Sequence, residues 1–240
     1  MSAFKNNYYD YTWNFFSGCT ECSDACVNCV AKKKIRYLLS TVQSREKYTN
    51  DFQFTVHYDS MPSSDLRRTP RTVLVNNVSD TFHPDAPQDF LAEKFIQMIE
   101  MELYTFIICT KRPKNMMAFV DMYFGDALLD APNIILAVSI EKRKYLDRLT
   151  ILNQIPATRA VFFEPLLEDI GAEPINLEGI SRVYAGPEVM PFKKYPIAWY
   201  RNLEIQCDIR NIPFILTRPM FREGNFHRGN HRKKYKMENI

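Results

Sequence analysis

From Thr72 to Thr217 the chain repeats one unit: an apolar, β-branched run of five or six residues, a polar cluster at its C-terminal end, then an amphipathic stretch. The runs predict strands near 72–77, 104–109, 133–138, 160–163, 182–186 and 212–217, with helices near 87–103, 113–129, 141–153 and 197–211. Strand and helix in alternation build parallel βαβ units, because a parallel neighbour is reached only through a crossover long enough to hold a helix. Two further apolar runs, near 12–16 and 52–57, bring the supply to seven or eight strands. The expected fold is therefore α/β, a (β/α) barrel, whole or partial TIM-type. In such a barrel the chemistry gathers at the C-terminal ends of the strands, where the loops surround the mouth.

Size and charge add limits. With 240 residues, 46% of them hydrophobic, one sizeable core is within reach. No apolar run approaches the roughly 18 residues that span a bilayer, and no apolar leader follows Met1. A soluble cytoplasmic protein without a membrane partner is expected. The net charge of +3 says little by itself, but its distribution is uneven. One domain over 1–218 is expected, followed by a basic tail, 219–240, in which Arg222, Arg228, Arg232 and Lys233 alternate with Phe221, Phe226 and Tyr235. Such a tail suits the phosphates and bases of nucleic acid, and equally a solvated surface segment.

Four of the six cysteines, Cys19, Cys22, Cys26 and Cys29, fall within eleven residues after the first strand. Packing has no use for four thiols in a polar loop. A disulfide knot suits small secreted domains rather than a chain of this length. A structural zinc site wants two Cys-x-x-Cys knuckles well apart, and only three residues separate Cys22 from Cys26. The third reading is an iron–sulfur cluster. Cys22, Cys26 and Cys29 read C-x3-C-x2-C, a spacing that lets three thiolates meet a cubane and leaves its fourth iron without a protein ligand. The loop leads into Lys32–Leu39, which has helical periodicity; its basic residues read as a solvated face more readily than as a cover for an anion.

The strand ends carry the remaining candidates. Asn77, Ser79 and Asp80 follow the 72–77 run, and a turn explains Ser79 and Asp80 as well as a site does. Cys109, Lys111 and Arg112 end the next strand; two adjacent cations suit a carboxylate or phosphate, or an ion pair with Asp80 or Glu141. Cys109 is a candidate hydrogen-atom donor to a substrate radical, although single strand cysteines are mostly small core residues. Ser139 and Glu141 could hold polar groups of a ligand, or cap and charge the first turn of a helix. Glu164, between an apolar strand and Pro165, is hard to explain by packing, because a buried carboxylate needs partners.

C-x3-C-x2-C is the signature of the radical S-adenosylmethionine (SAM) superfamily. The segments Trp13-Asn14-x-x-Ser17-Gly18-Cys19 with Cys26-x-x-Cys29, Val75-Asn76-x-x-Ser79-Asp80-x-Phe82-His83, Thr110-Lys111-Arg112-Pro113 and Glu164-Pro165-Leu166-Leu167 resemble a phage and bacterial family of unknown function. That family is similar to spore photoproduct lyase, a DNA-repair enzyme. Its spacing, C-x6-C-x2-C, selects Cys19 in place of Cys22, with Cys26 and Cys29 common to both patterns. The resemblance implies a 4Fe-4S cluster and SAM as cofactors, an external electron donor, and cofactor contacts from Asn77, Ser79, Asp80, Lys111, Arg112, Ser139 and Glu141, with Cys109 and Glu164 as catalytic candidates. The implied substrate is a nucleobase or nucleotide, such as a modified thymidine of phage DNA undergoing an isomerase- or lyase-type rearrangement, and the implied location is the host cytoplasm. Val30-Ala31, Ala185-Gly186-Pro187-Glu188-Val189 and Leu216-Thr217-Arg218 depart from the family's residues, so the substrate can differ where the radical machinery is shared. The rival expectation is a non-enzymatic, zinc-containing nucleic-acid-binding protein.

Overall fold

The computed structural model describes residues 8–39, 51–62, 70–189 and 195–217; the predicted basic tail lies outside them. The strands, in chain order, are β1 (Tyr11–Trp13), β2 (Phe16–Ser17), β3 (Thr55–Val56), β4 (Arg71–Val75), β5 (Tyr104–Thr110), β6 (Ile134–Ser139), β7 (Thr158–Phe163), β8 (Ile180–Ala185) and β9 (Phe214–Leu216). The α-helices are α1 (Val30–Leu39), α2 (Gln88–Glu100), α3 (Pro113–Tyr123), α4 (Asp147–Leu152) and α5 (Ile197–Ile209). Seven strands form one sheet in the order β1-β4-β5-β6-β7-β8-β9, and every pairing in it is parallel.

This sheet curls into half a barrel. Tyr8, just before the edge strand β1, lays its ring 5.6 Å from that of Phe162 on β7 and 5.1 Å from that of Tyr184 on β8. In a flat sheet β7 would lie about 19 Å from β1 at normal strand spacing, beyond the about 10 Å that three extended residues span. Alternation along the strands sorts the two faces. Val73, Val75, Phe106, Ile108, Leu136, Val161 and Val183 share the main core with Leu91, Phe95, Phe119, Leu149 and Leu203 of the helices. Leu74, Ile107, Ile135, Ala137, Ala160, Phe162 and Tyr184 form a separate cluster on the concave face. Alanines at its centre leave room above them. Among the described residues, no helix is long and apolar enough to cross a membrane.

Besides the strand expected near 52–57, which reduces to Thr55–Val56 outside the seven-stranded sheet, the predicted and observed elements differ at three places, each with a local cause. The strand expected near 12–16 is split, because Asn76, at φ +50, accepts hydrogen bonds from Phe15 N and Phe16 N on one Oδ1, both 3.0 Å. The chain turns there, and β2 pairs antiparallel with β3 instead. The helix expected over 113–129 stops at Tyr123, since Gly125 takes a left-handed conformation, φ +51, that ends it. The helix expected over 141–153 reduces to a 3-10 turn, Arg143–Tyr145, and the short α4. Its predicted first turn is occupied by Glu141, which is fully buried and faces Arg148 at 2.9 Å.

Candidate functional site at the strand C-terminal ends

The cysteine loop is a bridge laid across the mouth of the half-barrel, held from four strand ends. At β4, Gly18 N donates to Val78 O at 3.1 Å, and Ser79 Oγ donates to Gly18 O at 2.6 Å. After β5, Arg112 donates to both the carbonyl and the hydroxyl of Thr20, each at 2.8 Å. After β6, Lys142 and Lys144 pair with Asp24 at 2.7 and 3.0 Å. After β8, Asn28 Nδ2 donates to Glu188 Oε1 at 2.9 Å.

Under this bridge lies a cavity of about 330 Å3, at the lower end of the range for small-molecule sites. Its roof carries all four thiols, Cys19, Cys22, Cys26 and Cys29. Its wall includes Asn77, Ser79, Asp80, Cys109, Lys111, Ser139 and Glu164, and its aromatic floor includes Tyr8, Tyr9 and Phe162. The strand ends singled out from the sequence thus meet at one place. Two candidates do not reach the wall. Arg112 is spent on Thr20 and on Asp80, 3.9 Å away, so it braces the bridge. Glu141 is buried against Arg148, whose guanidinium also donates to Ser139 O at 2.7 Å, so this pair fixes the end of β6.

Asp80 has a structural duty as well as a place on the wall. It accepts from Thr110 Oγ1 at 2.6 Å, from Phe82 N at 3.0 Å and from Lys111 N at 3.2 Å, clamping the β4 loop to the end of β5. Ser139 Oγ donates to Glu164 O at 3.0 Å, which leaves the hydroxyl oxygen as an acceptor. His83, the last residue of the Val75–His83 segment, is 2% exposed, stacks on Phe54 at 4.3 Å and lies 3.0 Å from Thr20 Oγ1. Its Nδ1 accepts from Asp85 N, so Nε2 carries the proton toward Thr20. Cys207 is buried in α5 and structural.

The titration of the thiols follows their surroundings. Cys26 is brought down to about 5, first by the Cys22 thiol beside it, then by Cys22 N–H at 3.4 Å and by Ser23 Oγ, against the effect of burial. The same contact, with burial, pushes Cys22 up. Burial first and Asp80 second raise Cys19 to about 11, although Arg112 opposes them. Burial raises Cys109 to about 12. Burial would lower Lys111, but Glu141, Cys109 and Cys26 outweigh it and raise its pKa, so it stays an ammonium.

Among the described residues, no three His, Cys, Asp or Glu side chains stand ready as a metal cage. The donor chemistry nonetheless fits a thiolate-ligated centre. Four cysteines share one roof, the surroundings of Cys26 favour its thiolate, and a bound cation favours the thiolate form of any ligand it takes. Cys26 and Cys29, with Cys19 or Cys22, are the residues that could hold it. Thr20 and Asn28 were not foreseen as parts of the site, and nothing local marks them; Asn76 stood beside Asn77 at the strand end, and Lys34 stood in the basic run that read as a solvated face more readily than as a cover for an anion.

The Asp24 tether predicts a pH response. Hydrogen bonds from Lys142, then Lys144, and from Tyr145 hold the Asp24 carboxyl well below the usual range. A depressed carboxylate contributes stability that is complete above its unfolded value, about 3.9, and that is lost as pH falls toward the folded value. Amide exchange over 24–29, corrected for its intrinsic pH dependence, should be unchanged between about pH 5 and 8 and rise below about pH 4. In Asp24→Asn it should be raised throughout. An unchanged profile in that variant would show that the tether holds nothing.

A parallel α/β half-barrel with a cysteine bridge over a polar cavity at its strand ends is thus the class of protein the fold and site define. Within it, the chain belongs to a family of proteins of unknown function, DUF5131, whose model matches residues 4–238. No curated protein and no solved structure matches the chain.

Proposed function

We propose that this protein is a radical SAM enzyme acting on a nucleobase or nucleotide. The observation that carries the reading is the cavity whose roof is the four-cysteine bridge and whose wall is the set of polar strand ends. Cys26 and Cys29, with Cys19 or Cys22, would hold a 4Fe-4S cluster, fed by an external electron donor. When bound there, cluster and SAM would supply one-electron, radical-generating chemistry.

The chain's own residues bind, orient and exclude water around that chemistry. Lys111, kept protonated beside Glu141, offers a cation to a carboxylate or phosphate. Asn77, Ser79 and Ser139 offer neutral polar groups, and Asp80 keeps the β4 and β5 ends in register with the bridge. Tyr8, Tyr9 and Phe162 give a dry floor on which a planar ring can lie. Glu164 Oε1 lies near Thr217 Oγ1 across Gly186, in the place of a group that positions a substrate or moves a proton. Cys109, a neutral thiol within the cavity, is the candidate donor of a hydrogen atom to a substrate radical.

The test is anaerobic reconstitution with iron and sulfide, then metal analysis and SAM cleavage with dithionite, on wild type, Cys19→Ala and Cys22→Ala. About four irons per chain, 5′-deoxyadenosine formation and the loss of both in one variant are expected. Tightly held zinc without iron, and intact SAM, would instead support the nucleic-acid-binding protein.

A further inference from the structure

Lys34 is a partly buried cation that faces no carboxylate among the described residues. Helix α1 begins directly after Cys29, and Val30, Ala31 and Lys34 on it all line the cavity. Its basic neighbours behave as surface charges: Lys32 pairs with Glu21 at 3.7 Å and Arg36 with Asp51 at 3.7 Å. Lys34 has a single polar contact among the described residues, Asn77 Oδ1 at 3.4 Å, and no carboxylate in ion-pair range there. Burial lowers its pKa, with no charged group acting against it. Lys111 across the cavity differs, since Glu141 favours its charge. Withdrawing an ammonium from water without an opposite charge costs free energy, which a bound anion restores. Asn77 adds a second donor: with its Oδ1 facing Lys34, its amide NH2 group is not engaged by any described residue.

We propose that Lys34 and Asn77 form an anion-recognition site of the cavity, binding the phosphate or carboxylate oxygens of a small-molecule ligand. This site stands whether or not the cysteines carry a cluster, so it does not rest on the radical reading. Two sources share the chemistry, the phosphate of a nucleotide substrate and the carboxylate of SAM.

The experiment begins with protein as purified, with no iron and no SAM added, and follows thermal unfolding against inorganic phosphate at matched ionic strength. Wild type and Lys32→Met should gain Tm with phosphate, as expected for a ligand that binds only the folded state. Lys34→Met should gain nothing and should melt at or above wild type in phosphate-free buffer, because an uncompensated charge has been removed. Asn77→Ala, the second variant, should show a reduced gain. Calorimetric titration then separates the sources. A loss of about 10- to 100-fold in affinity for a deoxynucleoside 5′-monophosphate, down to that of its nucleoside, assigns the site to substrate phosphate; the same loss for SAM, titrated into reconstituted protein, assigns it to the SAM carboxylate. An unchanged phosphate gain with unchanged affinities in Lys34→Met overturns the proposal. So does a lower Tm in phosphate-free buffer with ligand responses intact, which would make Lys34 a structural strut.

Discussion

On the proposed radical SAM reading, Cys26→Ala protein, reconstituted anaerobically, should hold less than one iron per chain where wild type should hold about four, and any SAM cleavage seen in wild type should fall to the level of dithionite alone. Both cysteine spacings use Cys26, so the loss does not depend on whether Cys19 or Cys22 is the first ligand. Cys26 is also brought down to about 5 by its contact with Cys22, which favours the thiolate that a metal needs. The fold should survive. Cys26 is only partly buried, on the 3-10 turn Asp24–Asn28, and the tethers of that turn are Asp24 and Asn28. With both proteins compared before reconstitution and free of iron, a Tm within about 2 °C of wild type, for a change below about 0.5 kcal/mol, would separate lost ligation from lost structure. A full complement of iron in Cys26→Ala would remove the cluster from the bridge altogether. Cys109→Ala is the companion: it should keep its iron and its SAM cleavage, and alter only the fate of the substrate.

The half-barrel was legible in the sequence because strand, polar end and helix recur with little interruption. Ile134 to Ser139 are all buried, and such a run reads as an interior parallel strand without any knowledge of its neighbours. Individual roles at the strand ends were less legible, because the same residue types serve ligand binding and loop closure. Asp80 and Arg112 look alike as candidates in the sequence, yet one lines the cavity and the other grips Thr20 from behind it. Glu141 is two residues from the wall residue Ser139, but its side chain belongs to Arg148. Contacts such as Asn28 with Glu188, 160 positions apart, have no local signal. Lys34 was masked in a different way: a lysine run on a helix reads as a solvated face, and only the placement of α1 over the mouth turns one member inward.

Gly18 decides whether the bridge can exist in its present shape, and Gly18→Ala should cost the protein at least about 3 kcal/mol and lower Tm by about 6–12 °C. Two penalties add. The φ of +75 lies in the left-handed region that glycine alone adopts freely. A Cβ built there would also overlap the Gln53 carbonyl and come within 2.6 Å of Phe52 O, and these are backbone atoms that cannot swing aside. They cannot retreat either, because Cys19 N donates to Phe52 O at 3.2 Å and β3 holds the segment against β2. The variant must therefore release the contact with β3 or the one with Ser79, and either release shifts Cys19. Iron binding after reconstitution should fall with stability, whereas Cys26→Ala should lose iron alone. Gly125→Ala is the control: its φ is +51, but nothing lies within 4 Å of an added Cβ. It should cost only the backbone term, about 1 kcal/mol, with iron binding intact. Equal losses at the two glycines would mean that the approach of residues 52 and 53 does not constrain the bridge, and the first ligand would then be free to be chosen by the metal rather than by the fold.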